Sequence, residues 1–224
     1  MNKFATIRVP LMVLLAAWPA LALPAESSKQ ELEDAMRTRP NYDRGAQLFQ
    51  QCVSCHGADA GGQASGEVPR IAGQHYRVLL KQLVDYRYGK RWDFRMEELA
   101  DRHHLKDAQD IADVALFVAS QDRGGTRGIG TGEYTEQGKA IYAERCQSCH
   151  GASAEGSDRK RIPRLAGQHY GYLVRQMYDA VDGRRPSMTR SHPPRMAPLD
   201  FQEVRGLADH LSRIDPNPNP NPKP

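Results

Sequence analysis

The chain has 224 residues, of which 39% are hydrophobic and 26% are charged, and its formal net charge is +4. This composition is typical of a soluble globular protein of one or two domains and excludes a multi-span membrane protein. The mild positive charge and the lack of a recognisable RNA or DNA motif argue against nucleic-acid binding.

The N-terminal residues 1–22 have the three-part pattern of a secretory signal peptide. Lys3 and Arg8 precede the apolar run 11–18, and the segment ends with the small-x-small form Ala20-Leu21-Ala22. The apolar run is too short to span a bilayer comfortably, so an uncleaved anchor is the weaker interpretation. We expect cleavage after Ala22 and export to the periplasm.

All four cysteines fall in two matching hexapeptides, CVSCHG at 52–57 and CQSCHG at 146–151, which lie 94 positions apart. In an oxidising compartment the default expectation is two disulfides, and two Cys-x-x-Cys pairs could also hold zinc. Neither interpretation explains why His56 and His150 follow the two pairs at the same place.

The sequence around the cysteines is repeated as well, because three further pairs of segments match or resemble each other: 44–57 with 137–151, 69–83 with 163–177, and 107–120 with 200–213. A repeat at a fixed spacing indicates a duplicated domain of about 90 residues. Between the copies lies a glycine-rich segment that is a linker by composition. We expect domain one at 23–121, the linker at 122–132, domain two at 133–214 and a disordered Pro/Asn-rich tail at 215–224.

Each copy has the apolar spacing of helices and no strand alternation. In the first copy, for example, Ile111, Val114, Ala115 and Val118 recur at helical spacing. The spacing predicts helices at 43–51, 74–88, 107–119, 135–145 and 168–182. The predicted fold is therefore all-α, with two tandem helical domains whose cores are thin enough to need a bound cofactor or another staple.

Cys-x-x-Cys-His is the attachment signal for c-type haem. The spacing puts the two sulfurs about one helical turn apart, as thioethers to neighbouring haem vinyl groups require, and the next residue presents an imidazole to the iron. We predict two covalently bound haem c groups, one held by Cys52, Cys55 and His56, the other by Cys146, Cys149 and His150.

With these motifs the chain resembles the dihaem class I cytochromes c of the c-four type over nearly all of residues 42–213. The resemblance rests on CVSCHG and CQSCHG, on the following PRIAGQ and PRLAGQ, and on LLKQL, LVRQM and DIADVA in the helices. It implies two tandem class I cytochrome c domains, each a small helical fold around its haem. It also implies that the carbonyls of Pro69 and Pro163 accept the ring N–H of the proximal histidine.

The same resemblance implies that a methionine from the loop before the last helix closes each iron. In domain one Met96 is the only methionine of that loop, and we predict that it is the ligand. The alternative is that Met96 packs in the core and that His103 or His104 binds the iron.

Domain two offers Met188, Met196 and His192 in the corresponding loop. We predict Met188 as the ligand, with Met196 as the runner-up, because Met188 follows its Gly-Arg-Arg-Pro turn much as Met96 follows Gly89. The His-Pro-Pro stretch departs from the pattern of the family.

Other repeated residues receive plainer interpretations. His75 and His169 are taken as duplicated residues at the start of a helix, near the haem edge, and Tyr76 and Tyr170 as packing groups or haem-edge residues. For Arg70 and Arg164 two interpretations remain open, namely pairing with haem propionates or solvated surface. The basic runs 159–161 and 184–185 are interpreted as solvated surface that would at most steer an acidic partner.

The predicted function is that of a periplasmic dihaem electron carrier between a respiratory donor and a terminal oxidase or similar acceptor, not that of an enzyme. The alternatives are a cytochrome subunit of a periplasmic sulfide, thiosulfate or alcohol dehydrogenase, and a haem enzyme acting on a small inorganic substrate. The expected partners are redox proteins, through which the chain could associate with the membrane surface, and no nucleic acid.

Overall fold

The structure is a computed structural model that describes residues 27–188, 190 and 192–217. The predicted signal peptide and residues 218–224 of the predicted tail lie outside the described residues. Within them the fold is helical as predicted, and the β-structure is limited to one isolated antiparallel bridge between Ser157 and Ile162.

The helices of domain one are α1 (Ser28–Arg37), α2 (Tyr42–Phe49), α3 (Val53–His56), α4 (Tyr76–Arg87), α5 (Phe94–Leu99) and α6 (Ala108–Ala119), with a 3₁₀ turn at Gln50–Cys52. Those of domain two are α7 (Thr135–Arg145), α8 (Gln147–His150), α9 (Tyr170–Val181), α10 (His192–Met196) and α11 (Phe201–Arg213). The five helices predicted from apolar spacing all occur, as α2, α4, α6, α7 and α9. Helix α11 lies in the segment 200–213, which resembles the segment of α6, and the short helices α3, α5, α8 and α10, like α1, were not predicted.

In both domains the helix before the cysteines crosses the last helix at a glycine. A Cβ atom on Gly45 of α2 would lie 2.1 Å from the carbonyl oxygen of Asp113 in α6. In domain two a Cβ atom on Gly138 of α7 would lie 1.9 Å from the carbonyl oxygen of Gly206 in α11. The two crossings are therefore close because the backbones touch where a side chain is missing.

The last helix of each domain begins at an aspartate that caps its first turn. The carboxylate of Asp107 accepts the backbone N–H of Gln109 and Asp110 at 2.9 and 3.0 Å. Asp200 forms a capping box with Glu203, in which each side chain accepts the other residue's backbone N–H. These caps satisfy donors that a helix start leaves unpaired, so they fix where α6 and α11 begin.

Helix α1 belongs to domain one alone. Ser27 caps it, and its fully buried Glu31 forms an ion pair with Arg87 of α4 and a 3.3 Å contact with Arg102. Leu32, Ala35 and Met36 of this helix also pack at helical spacing against the core of domain one. Its position therefore depends on apolar contacts and on a buried charge pair together.

The two domains contact each other through residues related by the 94-residue offset. The side chain of Gln168 accepts from Arg70 N at 3.0 Å and donates to Arg70 O at 2.7 Å. Gln74 does the same to the backbone of Arg164, at 2.9 and 3.0 Å. Such reciprocity is the mark of a two-fold interface, here within one chain. We call the residues that form it the reciprocal clasp: Gln74, His75, Gln168 and His169.

The histidines of the reciprocal clasp extend the same symmetry. His75 Nε2 donates to the carbonyl of Glu155 at 2.8 Å, and His169 Nε2 donates to the carbonyl of Gly61 at 2.8 Å. Both histidines stand immediately before a helix, as the sequence suggested. The Nε2 atoms of both rings, however, contact the opposite domain. The repeated GQHY did not predict this contact.

The glycine-rich linker is held against both domains. The Arg70 guanidinium donates to the carbonyls of Arg123 and Thr126, the latter at 2.9 Å. The carboxylate of Asp209 accepts the backbone N–H of Gly130 and Gly132 at 3.0 and 2.5 Å. The segment that composition marks as a linker therefore has fixed hydrogen-bond partners.

Candidate haem sites

The cysteine pairs lie on one short helical turn in each domain. In domain one the chain passes from the 3₁₀ turn into α3, and in domain two from α7 into α8. Both turns end at a glycine with positive φ, Gly57 at 77° and Gly151 at 86°. Only glycine adopts this conformation without strain, so the chain can turn sharply away directly after each histidine.

Both histidines are buried and held by a proline carbonyl. His56 is 4% exposed and its Nδ1 donates to the carbonyl of Pro69 at 3.1 Å. His150 is 6% exposed and its Nδ1 donates to the carbonyl of Pro163, also at 3.1 Å. With Nδ1 protonated and engaged, Nε2 is the nitrogen that can bind a metal.

Burial keeps these imidazoles neutral, which metal binding requires. It lowers the pKa of His56, against the opposing effects of the Pro69 carbonyl and Asp93. In domain two, burial lowers the pKa of His150 to about 4, with the Pro163 carbonyl opposing and His192 adding to the shift.

The four cysteines are free thiols, and none is paired with another. Burial and Cys55 raise the pKa of Cys52 to about 11, and burial also raises the pKa of Cys146. Within the described ranges, His, Cys, Asp and Glu form no cluster of three or more that could hold a metal ion. Each cysteine pair is followed directly by a histidine that is buried in the same domain, which is the order that the haem attachment signal requires.

One continuous cavity connects the two sites. It runs from His56 to His150 and is lined by cysteines of both motifs and by both prolines. Its walls are largely apolar and include Phe49, Leu79, Val114, Ile141, Leu173 and Leu207. A planar apolar group such as haem fits these residues in each domain, with the groups brought together where the domains meet.

A buried group of arginines at the interface also fits the carboxylates that haem carries. Arg70 and Arg164 line the cavity, and the Nε atoms of both are buried without a hydrogen-bond partner. Burial, together with the nearby positive charges of Arg164 and Arg70, lowers the pKa of Arg123 to about 10. Haem propionates would supply the missing negative charge and acceptors, which favours the propionate interpretation of Arg70 and Arg164.

Arg185 differs from what the sequence suggested for the run 184–185. Arg184 is exposed and contacts Asp179 at 3.3 Å, but Arg185 lines the cavity and donates to Gln82 of domain one at 3.3 Å. Burial lowers the pKa of Arg185 to about 10. Arg91 makes the reciprocal contact to Gln176 at 2.8 Å. Arg185 is thus part of the domain interface, although its position in a charged run suggested solvated surface.

Of the three candidates for the second iron ligand in domain one, Met96 is the one that lines the cavity. It lies in α5, is half-buried and lines the cavity. His103 and His104 do not line it, because the imidazoles of both contact Asp101, at 3.0 and 3.1 Å. The contacts of these two histidines argue against the alternative that one of them binds the iron.

All three candidates of domain two line the cavity, but their surroundings differ. Met196 packs against the apolar core of the domain. Met188 lies in the turn after Arg185, whose carbonyl accepts its backbone N–H at 2.9 Å. His192, at the first position of α10, has its ring centroid 6.0 Å from that of His150, with an angle of 78° between the rings.

A histidine oriented by a proline carbonyl, two thiols within the preceding turn and an apolar crevice in front form the site that defines a c-type cytochrome, and it occurs twice here. The Cytochrome c family model matches residues 42–122 and 135–215, and the chain belongs to this family. It is an electron-transfer protein with two covalent haem c groups, and its partners are redox proteins.

Several known proteins are similar to the chain. Cytochrome c4 of Pseudomonas aeruginosa is 37% identical over 73% of this chain and 83% of its own length. The thiosulfate dehydrogenase electron acceptor of Stutzerimonas stutzeri is 31% identical over 73% of this chain and 78% of its own. The crystal structure of reduced recombinant cytochrome c4 from Pseudomonas stutzeri superposes with a TM-score of 0.70 at 26% identity, over 79% of this chain and 100% of that one.

Proposed function

We propose that the chain is a periplasmic electron carrier that takes single electrons from a respiratory donor and passes them to a terminal oxidase or a similar acceptor. The observation that carries this proposal is the continuous cavity between His56 and His150. When bound, the haem irons supply one-electron transfer between ferrous and ferric states. The residues that line this cavity, from both domains, would hold the two groups.

Stopped-flow spectroscopy of the full-chain holoprotein tests this proposal. We expect a reduced quinol-oxidising complex to reduce both haems and a terminal oxidase to reoxidise both. Both reactions should be second order, with rate constants that fall as the salt concentration rises. Failure of either partner class to exchange electrons would contradict the carrier proposal.

A dedicated role as the cytochrome subunit of a dehydrogenase is the second candidate, and the name of the Stutzerimonas stutzeri relative favours it. Thiosulfate is then the first substrate to test, with sulfide and alcohols as comparisons. Co-elution with a dehydrogenase in size-exclusion chromatography of the native extract would support this role. Elution of the holoprotein alone would support the carrier.

We further propose that neither haem is catalytic. Met96 on one side, and His192 with the two methionines on the other, provide candidate ligands that would close each iron. Carbon monoxide binds reduced haem only where a coordination position is open. We expect no spectral change on adding it to the reduced holoprotein, and a shift at either haem would favour the enzyme alternative.

For the haem sites we propose that Cys52 and Cys55, and Cys146 and Cys149, attach the two groups. His56 with Met96 would be the axial ligands in domain one and His150 the proximal ligand in domain two, with Pro69 and Pro163 orienting the histidines. Ferric haem bound by methionine sulfur has a weak far-red charge-transfer band. Loss of the domain-one share of this band in Met96→Ala is the expected result, and retention of the whole band would rule Met96 out. Met188 stays a prediction for domain two.

The proposed location follows from the sequence of residues 1–22. Among the residues that the structure describes, none belongs to a helix with the length and apolarity needed to cross a bilayer. We propose cleavage after Ala22, domains at 23–121 and 133–214, and the intervening linker at 122–132, a division that the matched residues 42–122 and 135–215 support. The intact mass of the holoprotein from a periplasmic extract tests the cleavage site.

A further inference from the structure

We propose that His192, and not a methionine, is the second axial ligand of the iron in domain two. The inference rests on the haem that each domain carries and not on the identity of the redox partner. It makes the two sites of the chain chemically different, with histidine and methionine in domain one and two histidines in domain two.

The distance between the two rings is the first observation. Two imidazoles that bind one metal through nitrogens about 2.0 Å from it, on opposite sides, have ring centroids about 6 Å apart. The centroids of His150 and His192 are 6.0 Å apart, and both residues line the same cavity. The 78° between the ring planes is compatible with two axial imidazoles, because each plane has only to contain its own metal–nitrogen bond.

The local sequence holds His192 in this place. It is the first residue of α10, and Pro193 and Pro194 follow it in the first turn. Proline is tolerated there because the first backbone N–H groups of a helix have no intrahelical partner, and its ring fixes φ. The two prolines thus restrict the backbone that carries the imidazole, and α10 packs against α9.

The two competing methionines have other surroundings. Met196, at the end of α10, packs against the apolar core of domain two. Met188 lies in the wall of the cavity, in the turn where its backbone N–H donates to the carbonyl of Arg185.

Domain one has no counterpart of this histidine. The residue 94 positions before His192 is Glu98, and the candidate ligand of that domain is Met96. A methionine ligand raises the reduction potential relative to other axial ligands. His192 would therefore give domain two the lower of the two potentials, and electrons would rest preferentially in domain one.

The experiment uses ferric and reduced full-chain holoprotein whose two haems per chain are confirmed by the pyridine haemochrome. His192→Ala is made in the wild-type chain and in the Met188→Ala/Met196→Ala background, which removes the sulfurs that could replace the lost imidazole. We expect one equivalent of carbon monoxide to bind per reduced chain in the triple variant. The Met188→Ala/Met196→Ala variant should bind none and should keep the whole far-red band.

His192→Met is the matched gain-of-signal variant. If His192 is the ligand and Met96 closes the other iron, His192→Met doubles the far-red band and raises the lower of the two potentials. Met96→Ala in the otherwise unchanged chain then removes the band completely. The proposal is overturned if the Met188→Ala/Met196→Ala variant binds carbon monoxide or loses half of the band. It is equally overturned if the triple variant binds no carbon monoxide. None of these outcomes depends on electron exchange with a partner, so a failure of the carrier proposal stays distinguishable.

Discussion

The two domains have the same residues at the point where haem is attached, but they differ in the candidates for the second ligand of the iron. On the proximal side His56 and His150 donate to proline carbonyls at the same distance, 3.1 Å. On the distal side domain one has α5 with Met96, whereas domain two has the short α10 with His192. The attachment residues are therefore the same in both copies, whereas the candidates for the second iron ligand differ.

The interface between the domains belongs to the part that stayed the same. Gln74 and Gln168 each bind the backbone of the residue that follows the other domain's proline, namely Arg164 and Arg70. The loop that orients each proximal histidine is therefore held in part by the opposite domain. The comparison can be tested by breaking a shared feature in one copy at a time.

The largest effect is expected from removing the attachment cysteines of one domain. Cys146→Ser/Cys149→Ser should halve the haem per chain and unfold domain two, because a core this thin needs its cofactor. Haemochrome content and far-ultraviolet circular dichroism measure the two losses. Cys52→Ser/Cys55→Ser is the matched variant, and loss of helix content in both domains from either change would show that the domains do not fold independently.

The helix crossings should show the next largest effect. Gly45→Ala and Gly138→Ala force a Cβ atom against a backbone carbonyl, and each should cost about 1–3 kcal/mol of unfolding free energy. Denaturant titration of each domain's haem absorbance measures it. Gly124→Ala is the control, because its Cβ would lie 3.8 Å from the nearest atom. A stabilised Gly45→Ala or Gly138→Ala protein would mean that the crossings are looser than described.

Breaking the reciprocal clasp should affect both domains equally. Gln74→Ala and Gln168→Ala each leave a backbone N–H and a carbonyl of the opposite domain without a partner, at a cost of about 1–3 kcal/mol. In differential scanning calorimetry, the two domains should then unfold in two separate transitions instead of one shared transition. Gln30→Ala, which removes an exposed contact within α1, should leave the thermogram unchanged. Unequal effects of the two interface variants would refute the symmetry of the clasp.

The smallest effect concerns the linker and depends on pH. Burial alone would raise the pKa of Asp209, but hydrogen bonds from Arg213, the N–H of Gly132 and Thr135 hold it below its ordinary value of 3.8. A carboxyl group whose pKa is lowered on folding stabilises the protein above its ordinary pKa, and this stability is lost as pH falls through the folded value. Asp209→Asn should therefore lower the thermal midpoint at pH 7, and this deficit should shrink as the pH falls below 3.8. A deficit that stays constant as the pH falls would contradict this.

Local patterns predicted much of the fold because helices α2, α4, α6, α7 and α9 have apolar residues at regular spacing. Helices α5 and α10 escaped prediction because they are too short for periodicity to show. Helix α1 was overlooked although Leu32, Ala35 and Met36 have helical spacing, and its buried pair of Glu31 and Arg87 is visible only in the structure.

The sequence by itself determined the two attachment motifs, their histidines, the proline partners implied by the resemblance and the duplication, because each of these is encoded in a few consecutive residues. Only the tertiary structure decided what His75 and His169 contact and that Arg185 turns inward. It also placed the ring of His192 6.0 Å from that of His150, centroid to centroid. These contacts join residues distant in sequence, and those of His75, His169 and Arg185 form only once the two helical domains have packed against each other.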